Sequence, residues 1–430
     1  MTNRNNISLP KNWIQYKFES VFEVVSTNGL KVKQKEYLNH GKLAVIDQGQ
    51  DLIGGYTDEI VNKVMVSLPV IVFGDHTKAL KFINFNFAPG ADGIKILKPK
   101  QSIEPKFAFY LLHIIRNQIP DKGYARHFQY LRQEKYFVPP LPEQQRIVAK
   151  IEELFSEIDK AVENMQTARQ QLKTYRQSVL KHAFEGKLTA AWRESSKFRV
   201  QSSKFKNESL KLAAEPESVY QTKNGLPEGW KWKTVGDICT KVEYGSSKKS
   251  DKEGLVPVLR MGNIQNGLFD WTDLVFSSDS EEIEKYRLKK GDVLFNRTNS
   301  PELVGKTAIY LGEQEAIFAG YLIRIHYKND ISPKYLTYYL NSLKAKEFGN
   351  SVKTDGVNQS NINGQKLKSY PFPKCTLEEQ NQIVAEIEKR FSEADKLEES
   401  IETALRQTEA LRQSILKKAF AGKLVEQDEN

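Results

Sequence analysis

Few residues in this chain have the type and spacing that chemistry needs. Asp75 and His76 stand side by side in Phe73-Gly-Asp-His-Thr77, a pairing that acid–base catalysis or a metal would use. No third ligand accompanies them, and a strand-end loop, or after it a DNA-facing loop, accounts for the pair better. Cys239 and Cys375 are the two thiols; isolated cysteines make neither a zinc site nor a disulfide scaffold, and they fit a reducing cytoplasm. The chain has no G-x-x-x-x-G-K-[ST] phosphate loop and no strand–G-x-G-x-x-G–helix unit. It also lacks an Asn-Pro-Pro-aromatic motif of the kind adenine methyltransferases use; Pro139-Pro140 has the wrong context. No catalytic residue and no bound metal are expected, and the reading is of a binding protein rather than an enzyme.

Base edges are read by Arg, Lys, Asn, Gln, Ser and Thr, with Arg matched to guanine and Asn or Gln to adenine. Those types crowd several loops. The candidate DNA-binding residues of the first half are Gln48, Gln50, Thr57, His76, Thr77, Arg126 and His127. Those of the second half are Arg260, Asn263, Asn296, Arg297, Thr298, Asn299, Thr354, Asn358, Gln359 and Ser360. Gly, Asn, Ser and Thr also make turns with no ligand involved. Arg260 and Arg297 weigh more, because no turn requires an arginine. Lys31, Lys33 and Lys35 suit either a basic contact or a strand edge guarded by charge.

The elements that must position these loops show in an internal repeat. Residues 141–188 align with 377–424 at a constant offset of 236, and roughly 27 of the 48 positions are identical, so the segment is duplicated. In the first copy Ile147, Ile151, Leu154, Ile158, Ala161, Met165, Ala168, Leu172, Tyr175 and Val179 alternate spacings of four and three, which is a heptad seam. The second copy gives Ile383, Ile387, Ala394, Leu397, Ile401, Ala404, Leu411 and Ile415, interrupted at Arg390 and Thr408. Each reads as one helix of about 44 residues, a rod of roughly 65 Å, ending at Gly186 or Gly422 in a left-handed cap. Pro142 suits a first turn.

A larger segment precedes each rod. Leu9-Pro-Lys-Asn-Trp13 opens one and Leu226-Pro-Glu-Gly-Trp230 the other. Pro105-Lys-Phe-Ala-Phe-Tyr110 resembles Pro333-Lys-Tyr-Leu-Thr-Tyr338, each starting a predicted helix, and Phe87-Ala88 matches Phe318-Ala319. Strand-like runs lie between. The expected architecture is mixed α/β (α+β): globules at 1–140 and 226–374, helical spacers at 141–192 and 375–425, and a Ser- and Lys-rich linker at 193–225 with a short helix over 208–214. Similar rods beside divergent globules imply one constant task and one variable task.

Composition agrees without deciding. The 430 residues carry 64 Lys+Arg against 54 Asp+Glu, a net charge of +10 that suits nucleic acid, anionic surfaces or plain solubility. The longest apolar stretch, Val64 to Phe73, is broken by Ser67 and Pro69, so no membrane-spanning helix is expected. Met1 to Pro10 has no apolar core, and no signal peptide is read there.

These residues together resemble the specificity subunit of type I restriction–modification enzymes. The likeness runs from Leu9 to Leu424. It rests on both copies of Glu-Gln-x-x-Ile-Val-x-x-Ile-Glu-x-x-Phe-Ser-x-x-Asp and both Ala-Phe-x-Gly-Lys-Leu endings. Gly291-Asp-Val-Leu-Phe-Asn-Arg297, Gly356-Val-Asn-Gln-Ser-Asn-Ile362 and Ala190-Ala-Trp-Arg193 add to it. The resemblance implies two target-recognition domains, each reading one half of an asymmetric bipartite site in double-stranded DNA. It implies antiparallel helices in a pseudo-twofold arrangement that space the domains and dock two methyltransferase subunits, and through them restriction subunits. S-adenosylmethionine, ATP and Mg would belong to those partners and no cofactor to this chain. A type IIB-like nuclease–methylase subunit would share the same DNA logic. A coiled-coil scaffold that binds no DNA is the remaining alternative. One departure stands out: Cys375-Thr-Leu-Glu-Glu-Gln380 replaces Pro139-Pro-Leu-Pro-Glu-Gln144.

Overall fold

The computed structural model describes residues 9–27, 29–90, 93–120, 126–195 and 225–426. The expected helix over 208–214, and most of the linker that holds it, lie outside the described residues. The two long helices span Leu141–Phe184 and Leu377–Ala419. Gly186 (φ 72°) and Gly422 (φ 68°) end them in the left-handed conformation expected. At Gly186 a Cβ would also come within 2.3 Å of the Pro227 ring, so only glycine fits. In place of the lost proline, Thr376 Oγ1 accepts from Glu379 N at the start of the second helix.

The chain divides into two compact units, Met1–Gln166 with Ile401–Asn430, and Thr167–Ser400. The sequence reading set the helices apart as spacers. By packing, each helix instead gives its first part to one unit and its last part to the other. In the second unit Arg169 pairs with Glu398 and Arg176 with Asp395, so the two helical stretches there run antiparallel. In the first unit Arg412 pairs with Asp159, which is the same pair shifted by the repeat offset. The heptad reading overreaches at Ala161, Tyr175, Leu397 and Leu411, all of them exposed. A strict seven-residue seam drifts by about 20° per heptad on a straight helix, and two helices bury only a narrow stripe.

The two globules share three sheets. In the first, a four-stranded sheet orders the strands 22–25, 94–99, 70–74 and 80–83. In the second, the order is 239–244, 322–327, 293–296 and 307–309. The three-stranded sheets match likewise: 55–57, 43–46 and 87–89 against 275–277, 256–259 and 317–318. Strand pairs 14–16 with 136–138, and 231–234 with 371–374, close each domain beside its helix. The Phe87-Ala88 and Phe318-Ala319 match is two residues out of register. Val45 faces Ala88 and Val258 faces Ile317, so Pro89 rather than Phe87 takes the place of Phe318. Short β-branched and aromatic strands bury one or both faces, and residues such as Val70 to Phe73 and Val293 to Phe295 are fully inside.

The opening tryptophans and the Glu-Gln pairs explain one another. Trp13 Nε1 donates to Glu143 Oε1 at 2.8 Å, and Trp230 Nε1 to Glu379 Oε2 at 2.9 Å. Gln144 takes the Glu104 amide and donates to the Pro139 carbonyl, while Gln380 takes the Ser332 amide and donates to the Cys375 carbonyl. Both carboxylates are buried, where a charge persists only if it is well hydrogen-bonded. Asn12 completes Glu143; Thr189 and Arg193 complete Glu379. Lys106–Glu152 and Lys334–Glu388 add a matching ion pair, and Tyr110–Phe155 and Tyr338–Phe391 a matching edge-to-face contact. The repeated sequence thus builds one seat twice, and each seat holds one globule.

Candidate nucleic-acid interface

The seats fix the domains, and the loops leaving the strand ends carry the candidate contacts. In the second domain the chain leaves strand 293–296 at Arg297. Its amide donates to the Tyr321 carbonyl at 2.9 Å, and its carbonyl accepts from the Ile362 amide at 2.9 Å. The guanidinium lies 4.8 Å from the Tyr244 ring centroid and donates to the Gly320 carbonyl at 3.3 Å. Among the described residues no carboxylate pairs with Arg297, so its charge remains for an outside anion or acceptor. Arg260 differs: Asp273 neutralises it at 3.0 Å.

Beyond Arg297, Thr298–Asn299 pairs with Ser360–Asn361, which pairs with Thr354–Asp355. The Asn361 amide donates to Thr298 Oγ1 at 2.8 Å. The turn at 356–359 closes through the Gly356 amide on the Gln359 carbonyl at 2.8 Å. Thr354, Asn358 and Gln359 are exposed there, and Val357 at the tip is fully exposed. The sequence motif therefore folds as a small hairpin braced against the arginine strand.

In the first domain the corresponding strand, 70–74, leads to Asp75. Its carbonyl accepts from the His127 amide at 2.8 Å, as that of Arg297 does from Ile362. The Asp75 carboxylate accepts from the Phe128 amide at 2.8 Å and is buried. It braces the loop around 127 rather than forming an acid–base pair with His76. Gln48 sits against Gly74 and Gly93, where a Cβ would come within 3.0 and 2.8 Å of its side chain. Thr77 Oγ1 donates to the Gln48 carbonyl at 2.5 Å. Gln48, His76 and Thr77 thus gather at one rim, with Gln50 and Arg126 exposed. Behind them Lys81, buried, pairs with Asp47 at 3.3 Å, and burial lowers its pKa against the pull of that carboxylate.

Five candidates do not present their side chains. Thr57, His127, Asn263, Asn296 and Ser360 are buried. Thr57 Oγ1 accepts from the Glu59 amide, and the His127 ring meets the Asp75 carbonyl. Asn263 caps a turn by accepting from the Arg260 amide and donating to the Asp270 and Asp273 carbonyls. Asn296 accepts from the Thr298 amide, and Ser360 donates to Asp355. They support the loops through these bonds, although His127 Nε2 and Asn296 Nδ2 are buried without a partner among the described residues. Sequence reasoning missed Tyr244 and Val357. An aromatic at a strand end before Gly245-Ser-Ser, and an apolar residue inside a turn motif, were the available signals.

Both thiols are buried, and burial pushes each up from its usual range, which keeps them protonated and inert. Among the described residues no cluster of His, Cys, Asp and Glu suits a metal ion, and no helix is long and apolar enough to cross a membrane.

Comparison with known proteins agrees with this layout. The chain matches the family described as "Type I restriction modification DNA specificity domain" over residues 10–172 and 227–407, one match in each half. It is 31% identical over 348 residues to the type I restriction enzyme EcoKI specificity subunit of Escherichia coli K12, covering 77% of this chain and 68% of that one. It is 26% identical over 344 residues to the StySPI specificity subunit of Salmonella potsdam, with the same coverage of both. In fold it resembles a chain of a solved type I restriction–modification system, with a TM-score of 0.62 at 18% identity over 97% of this chain and 99% of the other. It also resembles the HsdS subunit from Thermoanaerobacter tengcongensis, with a TM-score of 0.54 at 20% identity over 98% and 100%. The duplicated seat, the paired recognition domains and the family match meet in one conclusion: this chain belongs to the DNA specificity subunits of type I restriction–modification systems.

Proposed function

We propose that the two domains read the two halves of a split, asymmetric site in double-stranded DNA, and that the long helices dock two methyltransferase subunits and, through them, restriction subunits. One observation carries the proposal: the same seat and sheet order occur twice, with different residues at the strand ends. A repeated frame suits a constant task, and divergent rims suit two different half-sites. The exposed helix positions Tyr175 and Leu411, equivalent by the repeat offset, are apolar surface that suits a protein partner. In this reading the chain supplies no catalytic group. S-adenosylmethionine, ATP and Mg act in the partners, and the methylated adenine leaves the helix stack there, at a cost of a few kcal/mol.

The test is to co-express this chain with its cognate methyltransferase subunit and map N6-methyladenine across a genome. A split, asymmetric motif that disappears without this chain supports the proposal. Methylation that is unchanged in its absence rejects it. Duplex binding by the assembled complex should also weaken steeply as salt rises; a salt-independent complex would favour a scaffold that does not touch DNA.

A further inference from the structure

We infer that Tyr244 is the positioning residue for base recognition by the second domain: its ring is the platform that sets Arg297 for an end-on contact with a guanine edge. The inference rests on the proposal that this domain reads DNA. Arg297 itself is half-buried, and three attachments define its pose. The backbone is pinned on both sides, by the Tyr321 carbonyl and the Ile362 amide. One Nη1 hydrogen is used by the Gly320 carbonyl at 3.3 Å. The Tyr244 ring centroid lies 4.8 Å from Cζ, within cation–π reach of the guanidinium. Nε is buried, so the fork can be offered to a partner only through its two terminal nitrogens. Two parallel N–H groups at that end match the O6 and N7 acceptors of guanine in the major groove.

Tyr244 is in turn held rigidly. Its hydroxyl accepts from the Gly364 amide at 2.8 Å, and a Cβ on Gly364 would lie 3.0 Å from that oxygen. The next residue, Gly245, has no space for a side chain, since a Cβ there would meet the Phe318 carbonyl oxygen at 2.3 Å. The backbone entering and leaving Tyr244 is therefore fixed, and the ring is fixed at its far end. An arginine loses less entropy on binding when its fork is already oriented. The ring contributes orientation and a cation–π attraction, not a hydrogen bond to the base. The first domain has nothing comparable at this place, because the equivalent residue is the buried Asp75.

The experiment uses this chain assembled with its cognate methyltransferase subunits. The substrates are duplexes carrying the mapped site, with each position of the half-site in turn presented as all four bases. Five proteins are compared: wild type, Arg297→Ala, Tyr244→Leu, the double variant, and the conservative control Tyr244→Phe. Arg297→Ala should reduce the preference for guanine at one position by roughly 5- to 150-fold. Tyr244→Leu should reduce it at that same position and leave every other position unchanged. The double variant should be no worse than Arg297→Ala, whereas a merely structural loss would add to it and spread over the half-site. Tyr244→Phe keeps the ring but loses the Gly364 hydrogen bond, so it should lower the preference at that position less than Tyr244→Leu does. If Arg297→Ala leaves the preference intact, the assignment of this rim as a base reader fails, and the platform with it. If Arg297→Ala relaxes one position but Tyr244→Leu does not, or the two effects add, the platform alone is overturned. Should Tyr244→Leu not fold, Tyr244→Phe decides: a loss spread over the half-site and not confined to the Arg297 position would overturn the platform.

Discussion

The two recognition domains have the same strand order in three sheets and yet present opposite chemistry at the same place. After strand 293–296 the second domain offers Arg297, with no acid paired to it among the described residues. After strand 70–74 the first domain has Asp75, buried and spent on the Phe128 amide. Where the first domain buries Lys81 against Asp47, the second has Ala308 and Arg260 at the matching sheet positions. In the second domain a hairpin, 354–361, lies beside the arginine strand. The lesson concerns what a fold conserves. Sheet order and the Glu-Gln seat are constrained by burial and hydrogen bonding, whereas strand-end loops face water and are free to change sign.

Exchange experiments test that contrast most strongly. Replacing residues 226–374 by the matching segment of another specificity subunit should change one whole half of the methylated motif and leave the other half as it was. The segment must end at 374, because strand 371–374 pairs with 231–234. Sequencing of methylated DNA reads the outcome, and a change in both halves would break the idea of two independent readers.

The two seats should then differ in strength. Glu379→Leu strands the half-buried Arg193 together with Trp230 and Thr189, and is expected to cost about 3 kcal/mol, the low end for a broken buried pair. Glu143→Leu strands only the neutral donors Trp13 and Asn12, and is expected to cost roughly 1–3 kcal/mol. Urea unfolding of the two variants measures both. Equal losses would mean that Arg193 adds nothing to the second seat.

Smaller again is the effect of one reader. Arg297→Ala should cost about 1–3 kcal/mol of discrimination at a single base of one half-site. Methylation rates on duplexes changed at that base would show it. Asp75→Asn, at the matching place, should alter stability without moving base preference, because its side chain is buried.

A further difference between the domains shows only in acid. Burial, with Arg116 nearby, pushes His113 down to about 4. The unfolded chain takes up this proton near pH 6.5, whereas the folded first domain does not until about pH 4. The resulting stability is present above pH 6.5 and is lost progressively as pH falls from there toward 4. His113→Gln should flatten that part of the profile of unfolding midpoint against pH.

Much of this was legible in the residues. The duplication, the helix ends at Gly186 and Gly422, and the two domains each follow from local periodicity and capping, which neighbouring residues decide. The family resemblance rests on the same repeated motifs. The loop residues were legible as types only. Nothing local distinguishes Arg297, left with its charge, from Arg260, neutralised by Asp273 thirteen positions away in sequence. Nor does it distinguish exposed Asn358 from buried Asn263, since either could form a turn.

By itself, then, the sequence determined where helices begin and end, that the chain is built twice, and which side-chain types crowd the strand ends. Short-range forces act between residues a few positions apart, and those are written in order along the chain. Tertiary structure alone decided that Trp13 meets Glu143 and Trp230 meets Glu379, that Tyr244 lies under Arg297, and that five polar candidates turn inward. Those outcomes depend on which distant groups share a buried space, where leaving a polar group unpaired is costly.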